Sequence, residues 1–170
     1  MDTFAHPEPT LRQGIATALW HDLVCEGEQR RHLALGEMLE SYLVFALMRH
    51  CGDAALARRT MALDWLQAHE SPMTPDRLRD VGDRCLLIAG LFPQLAVQRR
   101  VSNDYYIDLG RGAYASAAMR APRCERSLFF ELAQAFRSLV DVLDAIRASP
   151  SAGSRPLLVP PQTALTRRLH

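Results

Sequence analysis

Lysine is missing from this 170-residue chain, and all twenty basic residues are arginine. That absence removes a lysine Schiff base, a lysine general base and a P-loop lysine from the chemistry open to it. Cysteine occurs four times, at Cys25, Cys51, Cys85 and Cys124, but the intervals of 26, 34 and 39 residues leave no CxxC pair. Neither a structural zinc knuckle nor a thioredoxin-like dithiol has local support. The thiols are expected to be free, in or near the core. Long apolar runs are lacking too. LVFAL at 43–47 and CLLIAGLF at 85–92 fall well short of the roughly 18 residues that suggest a membrane span. The opening MDTFAHPEPT has no basic region followed by an apolar run, so no signal peptide is read and a reducing cytoplasm is the expected setting.

The motifs of familiar helical metalloproteins are absent as well. A di-iron bundle needs Glu-x-x-His pairs on facing helices, and the chain has none. Glu37 and Glu40, or His32 and Glu40, share helix faces, but one carboxylate-rich helix does not supply a second ligand set. His21 or His32 could serve a haem as axial ligand, yet no Cys-x-x-Cys-His attachment exists. No metal and no cofactor are expected. No stretch resembles a named family closely enough to carry a catalytic residue over.

What is present reads as a folded helical domain. The composition, 48% hydrophobic and 23% charged, suits one domain with a substantial apolar core. Residues 1–75 hold 6 arginines against 10 acids, and residues 76–170 hold 14 against 9. These halves, net −4 and net +5, could orient two subunits, but the imbalance is too mild to imply nucleic acid. Thr10 is placed as an N-cap, with Leu11, Ile15, Leu19 and Leu23 following at helical spacing. Gly27 is expected to break that helix. From about Gln29 to His50, Leu35, Met38, Leu39, Tyr42, Leu43, Ala46 and Leu47 form a broad stripe that predicts one long helix. Gly52 and Asp53 separate it from a helix reaching about His69.

Thr74 and Pro75 are an N-cap and first helical residue for the next segment, which Gly90 and Pro93 interrupt. A short helical turn over 94–99 follows. Ser102 or Asn103 caps a helix to about Met119, and a last long helix runs over about 126–148. The expected fold is therefore all-α, a compact orthogonal or bundle-like array of about six helices without significant sheet. Residues 1–148 form one domain, and 149–170 a Pro/Ser-rich extension. Helices 29–50 and 126–148 are expected to make the central layer, with helix 103–119 clamped against them.

The segment VSNDYYIDLGRGAY, residues 101–114, is the most distinctive. Two glycines cost a helix about 1 kcal/mol each relative to alanine, a cost a helix carries when small residues let a neighbour come close. Gly110, Gly112 and Ala113 are accordingly close-packing or interface positions. Asp104, Tyr105, Tyr106, Asp108, Arg111 and Tyr114 form the candidate ligand-binding set, should a cavity lie beside this helix. DLGRGAY lacks the Walker spacing, so phosphate cradling is not expected. Cys85 reads as a small buried hydrophobe. With no catalytic constellation in view, the expected function is a non-enzymatic interaction or regulatory protein acting as a homodimer or with a protein partner. A helical domain holding a small molecule or cofactor in a pocket near 103–119 is the alternative. Neither nucleic acid nor membrane is an expected partner.

Overall fold

The computed structural model describes residues 9–50 and 74–149. Of these residues 87% are helical, and no strand occurs among them. The helices are α1 (Pro9–Arg31), α2 (Glu37–His50), α3 (Pro75–Leu91), α4 (Pro93–Gln98), α5 (Asn103–Arg120) and α6 (Arg123–Arg147). No described helix is long and apolar enough to cross a membrane. The separate helix expected up to His69, the Gly52 and Asp53 boundary, Cys51 and the extension beyond Ser149 lie outside the described residues.

The sequence places the first break wrongly. α1 passes straight through Gly27 and ends at Arg31. A Cβ on Gly27 would sit 2.8 Å from the Val142 carbonyl oxygen of α6, so this glycine admits a neighbouring backbone and does not stop the helix. Consequently the single helix expected over 29–50 is two. His32 (φ 54°) and Gly36 (φ 86°) take left-handed conformations in the turn. Leu33 N–H donates to Glu28 O at 3.0 Å and His32 N–H to Gln29 O at 3.3 Å, the paired bonds of a Schellman ending. The buried Glu28 side chain reaches on to accept from Leu35 N–H at 2.6 Å. The apolar stripe misled because its spacing continues across the turn.

α3 begins as expected, with Thr74 as N-cap residue and Pro75 in the first turn. Gly90 does not interrupt it; the helix runs to Leu91, and Pro93 opens α4. Every residue from Val81 to Leu91 is buried, so this stretch of the helix is covered on all sides and belongs inside. This makes α3, not the 29–50 segment, the central helix. It packs most extensively on α5 and also on α6, which pack on each other, while α1 crosses α6 and α2 pairs with α1. α2 has only a small contact with α3 and α6, which corrects the expected central layer. The pairing of α5 with α6 stands. Ser102 caps α5, accepting from Tyr105 N–H at 3.1 Å, and α6 starts three residues earlier than expected, behind Pro122.

Three glycines mark the crossings. A Cβ on Gly82 would lie 2.5 Å from the Tyr114 ring, one on Gly90 would collide with Leu143, and one on Gly110 with Phe136 and Cys85. Leu78, Leu86, Ile88, Leu132, Phe136, Leu139 and Leu143 fill the space between the three inner helices and are fully buried. Cys85 is buried as expected, whereas Cys124 is exposed. Cys124 stands in the first turn of α6 at the protein surface.

Candidate functional site

The residues singled out on α5 do not converge; the helix divides them between two faces. Tyr106, Gly110, Ala113 and Tyr114 are buried toward α3 and α6. Asp104, Tyr105, Asp108 and Arg111 are exposed, and Gly112 is half-buried on that outer side. Residues one apart in a helix differ by about 100° in direction, so the run of adjacent polar residues was bound to be split. Tyr106 keeps a polar handle inside, its hydroxyl accepting from Arg99 at 3.4 Å. Tyr105 meets the Tyr106 ring edge-on at 5.4 Å between centroids. Asp104 pairs with Arg137 of α6 at 3.3 Å, both side chains well exposed.

The polar convergence lies elsewhere, around Asp83 in the middle of α3, which is wholly buried. Tyr42 of α2 and Tyr114 of α5 both donate their hydroxyls to Oδ1, at 2.6 and 2.8 Å. Arg49 of α2 donates to Oδ2 at 2.7 Å, and the buried His50 has Nε2 3.4 Å from the same oxygen and 3.8 Å from Asp80. Arg84 adds an ion pair with Asp80 at 2.9 Å. Gly82 makes the arrangement sterically feasible, because the Tyr114 ring lies where its Cβ would be. That ring is held by Tyr42 edge-on, by Phe129 stacked and by Phe136 tilted, at centroid separations of 6.1, 6.4 and 5.7 Å.

Burial first, and then the Asp83 charge, push the phenol groups of both Tyr42 and Tyr114 well above their ordinary range. Both therefore remain donors at neutral pH. With two donors on one oxygen and a guanidinium and imidazole at the other, the carboxylate is engaged on both sides, which is what burial of a charge requires. This hub fastens α2 and α5 to α3. The sequence held a signal for it, an aspartate next to the unbroken apolar run of α3, but not its partners, which come from positions 42, 49, 50 and 114.

A cleft of about 290 Å³ opens between the start of α5 and the second half of α6, lined in part by Asn103, Asp104, Arg137, Asp141, Asp144 and Arg147. Of the candidate ligand-binding set only Asp104 lines it. Asn103 donates its amide to Ala89 O at 3.0 Å, while its Oδ1 is buried without a hydrogen-bond partner. Asp144 is paired with Arg31 and Arg147. No protein-family model, curated protein or solved structure matches this chain.

Proposed function

We propose that the protein is a non-enzymatic helical interaction module, and that it self-associates through the outer face of α5. The observation that carries this reading is the composition of that face. Tyr105, Leu109, Gly112, Ser116 and Met119 recur at steps of four and three residues along a stripe that is exposed at Tyr105 and Met119 and half-buried between them. This is the spacing of a helix–helix seam. Tyr105 is 37% and Met119 72% exposed, and Gly112 at the middle leaves room for a second backbone. An antiparallel pair centred on Gly112 sets Tyr105 level with Met119 of the other copy. It also sets the acidic end, Asp104 and Asp108, toward the basic end, Arg120 and Arg123. A parallel pair would instead place like charges side by side. The occupant favoured by self-complementarity is therefore a second copy of this chain.

Sedimentation velocity tests the reading. The wild type is expected to run as a dimer, and Gly112→Glu as a monomer with unchanged helical circular dichroism. In a Cys124→Ser background, Gly112→Cys is expected to form a disulfide-linked dimer on mild oxidation, since the two-fold axis passes the new thiol. A wild-type monomer at high protein concentration, or a dimer indifferent to Gly112→Glu, overturns it.

The cleft favours a second reading, a small-molecule site at the N-terminal end of α5. The buried, unpartnered Oδ1 of Asn103 asks for a donor, and three carboxylates against two arginines line the cleft. A ligand bearing an amine or amide would suit it. Native mass spectrometry of the protein as purified tests this: a retained non-covalent mass, lost in Asn103→Leu, supports the reading, and a bare polypeptide mass removes it.

A further inference from the structure

A cluster of metal-ligating side chains lies in the α1–α2 hairpin. His21 and Cys25 are four apart on α1 and project from successive turns of one face. Glu40 comes from the first turn of α2. One ring nitrogen of His21, Cys25 Sγ and a Glu40 carboxylate oxygen all lie within 4.8 Å of one another. Cys25 Sγ is 3.7 Å from His21 Nδ1 and 3.9 Å from Nε2. In a tetrahedral zinc site, bonds of about 2.0–2.3 Å put neighbouring ligand atoms roughly 3.3–3.8 Å apart. The His–Cys pair is already at about that separation, and the Glu40 oxygen lies within 4.8 Å of both.

The backbone beneath the cluster is held in place by specific bonds. The Schellman ending of α1, the left-handed His32 and Gly36, and the Glu28 carboxylate on Leu35 N–H fix how α2 returns along α1. Further along the hairpin, Thr17 Oγ1 donates to Met48 Sδ at 3.2 Å. His21 is exposed and Cys25 and Glu40 are half-buried, so an ion can enter and water can complete its shell.

From this geometry we infer that His21, Cys25 and Glu40 form a binding site for Zn²⁺, three protein ligands with a fourth position open to water. Thiolate, imidazole and carboxylate together favour a borderline-soft four-coordinate ion over Mg²⁺ or Ca²⁺, which prefer all-oxygen shells. On binding, the sulfur–hydrogen bond of Cys25 is replaced by a sulfur–zinc bond and the proton passes to solvent. The bound ion would clasp α1 to α2. The sequence hides such a site because Glu40 lies fifteen residues beyond Cys25, across a turn the apolar stripe conceals.

Cobalt(II) is the probe, added to the full-length chain after treatment with a chelator. The expected result is a thiolate-to-cobalt charge-transfer band with the visible bands of a four-coordinate ion. It should saturate at one cobalt per chain and be bleached by Zn²⁺. Cys25→Ser should abolish the charge-transfer band. His21→Ala and Glu40→Gln should each weaken binding at least about tenfold. Cys124→Ser, which changes the exposed thiol outside the cluster, should leave the spectrum intact. Far-ultraviolet circular dichroism shows that each variant is folded, and Zn²⁺ should raise the melting temperature of wild type but not of Cys25→Ser. Absence of the band, its survival in Cys25→Ser, or its loss in Cys124→Ser overturns the site.

Discussion

Replacing Asp83 by alanine is expected to be among the most damaging single changes in this protein. The substitution removes a wholly buried carboxylate and with it the acceptor for two hydroxyls and one guanidinium. A buried hydroxyl left without its partner costs about 1–3 kcal/mol, and the fully buried Tyr114 has no route to water. Arg49 is different: its side chain is 40% exposed and can rehydrate, so its loss counts for about 1 kcal/mol or less. The expected total is about 3–5 kcal/mol, the range for breaking a buried pair by removing one partner. Asp83→Asn keeps one acceptor oxygen for the tyrosines while presenting an amide to Arg49, and should cost about 1–3 kcal/mol. Urea unfolding followed by circular dichroism measures both. A double-mutant cycle with Tyr114→Phe should give a coupling of about 1 kcal/mol or more. Asp83→Ala within about 0.5 kcal/mol of wild type would refute the reasoning, because Asp83 could then not be the hub of three helices.

The same hub sets an alkaline limit. Folded Tyr42 and Tyr114 hold their protons well above the ordinary value near 10, so their stabilisation is complete below that pH and is lost as pH rises past it, where the unfolded chain ionises first. The hub's contribution to the unfolding free energy should fall by up to about 2.7 kcal/mol per pH unit above pH ~10, and by about half that in Tyr42→Phe; a slope unchanged by Tyr42→Phe, read from urea titrations at stepped pH, would refute the assignment. Gly110→Ala should destabilise by about 1–2 kcal/mol, because overpacking against Phe136 and Cys85 outweighs the helix-propensity gain. Gly14→Ala, with nothing within 4 Å of the added carbon, should stabilise by up to about 1 kcal/mol; equal effects at the two positions in thermal unfolding would remove the close-contact account. Phe136→Ala, at a fully buried position between α5 and α3, should cost about 3–5 kcal/mol.

Much of the fold was legible locally. Thr74–Pro75, Ser102 and Pro93 are punctuation written in backbone chemistry, a fixed φ, a missing N–H or a side-chain oxygen at a helix start, and each marks a boundary in the structure. The break at 32–36 was not legible in the same way. Gly36 was there to be read, but the apolar spacing of Leu35, Met38 and Leu39 carried on through it. The candidate site fared less well. The run from Asp104 to Tyr114 looked like one constellation, and helical geometry distributes it over two faces. Asp83 was not among the candidates.

By itself, then, the sequence determined the class and most helix boundaries, because periodicity, capping and proline act over a few residues and need no partner. The tertiary structure alone decided what the glycines are for. Gly27 and Gly90 have the same local chemistry as helix breakers, and only the arrival of Val142 and Leu143 against them turns them into contact points. It alone decided that α3 is central, since the apolar run of its second half records that it is covered but not by what. And it alone brought Tyr42, Arg49, His50 and Tyr114 to one carboxylate, and His21, Cys25 and Glu40 to one another. Such meetings depend on where helices cross, and crossing is fixed by the packing of side chains distant in the chain, which no local pattern encodes.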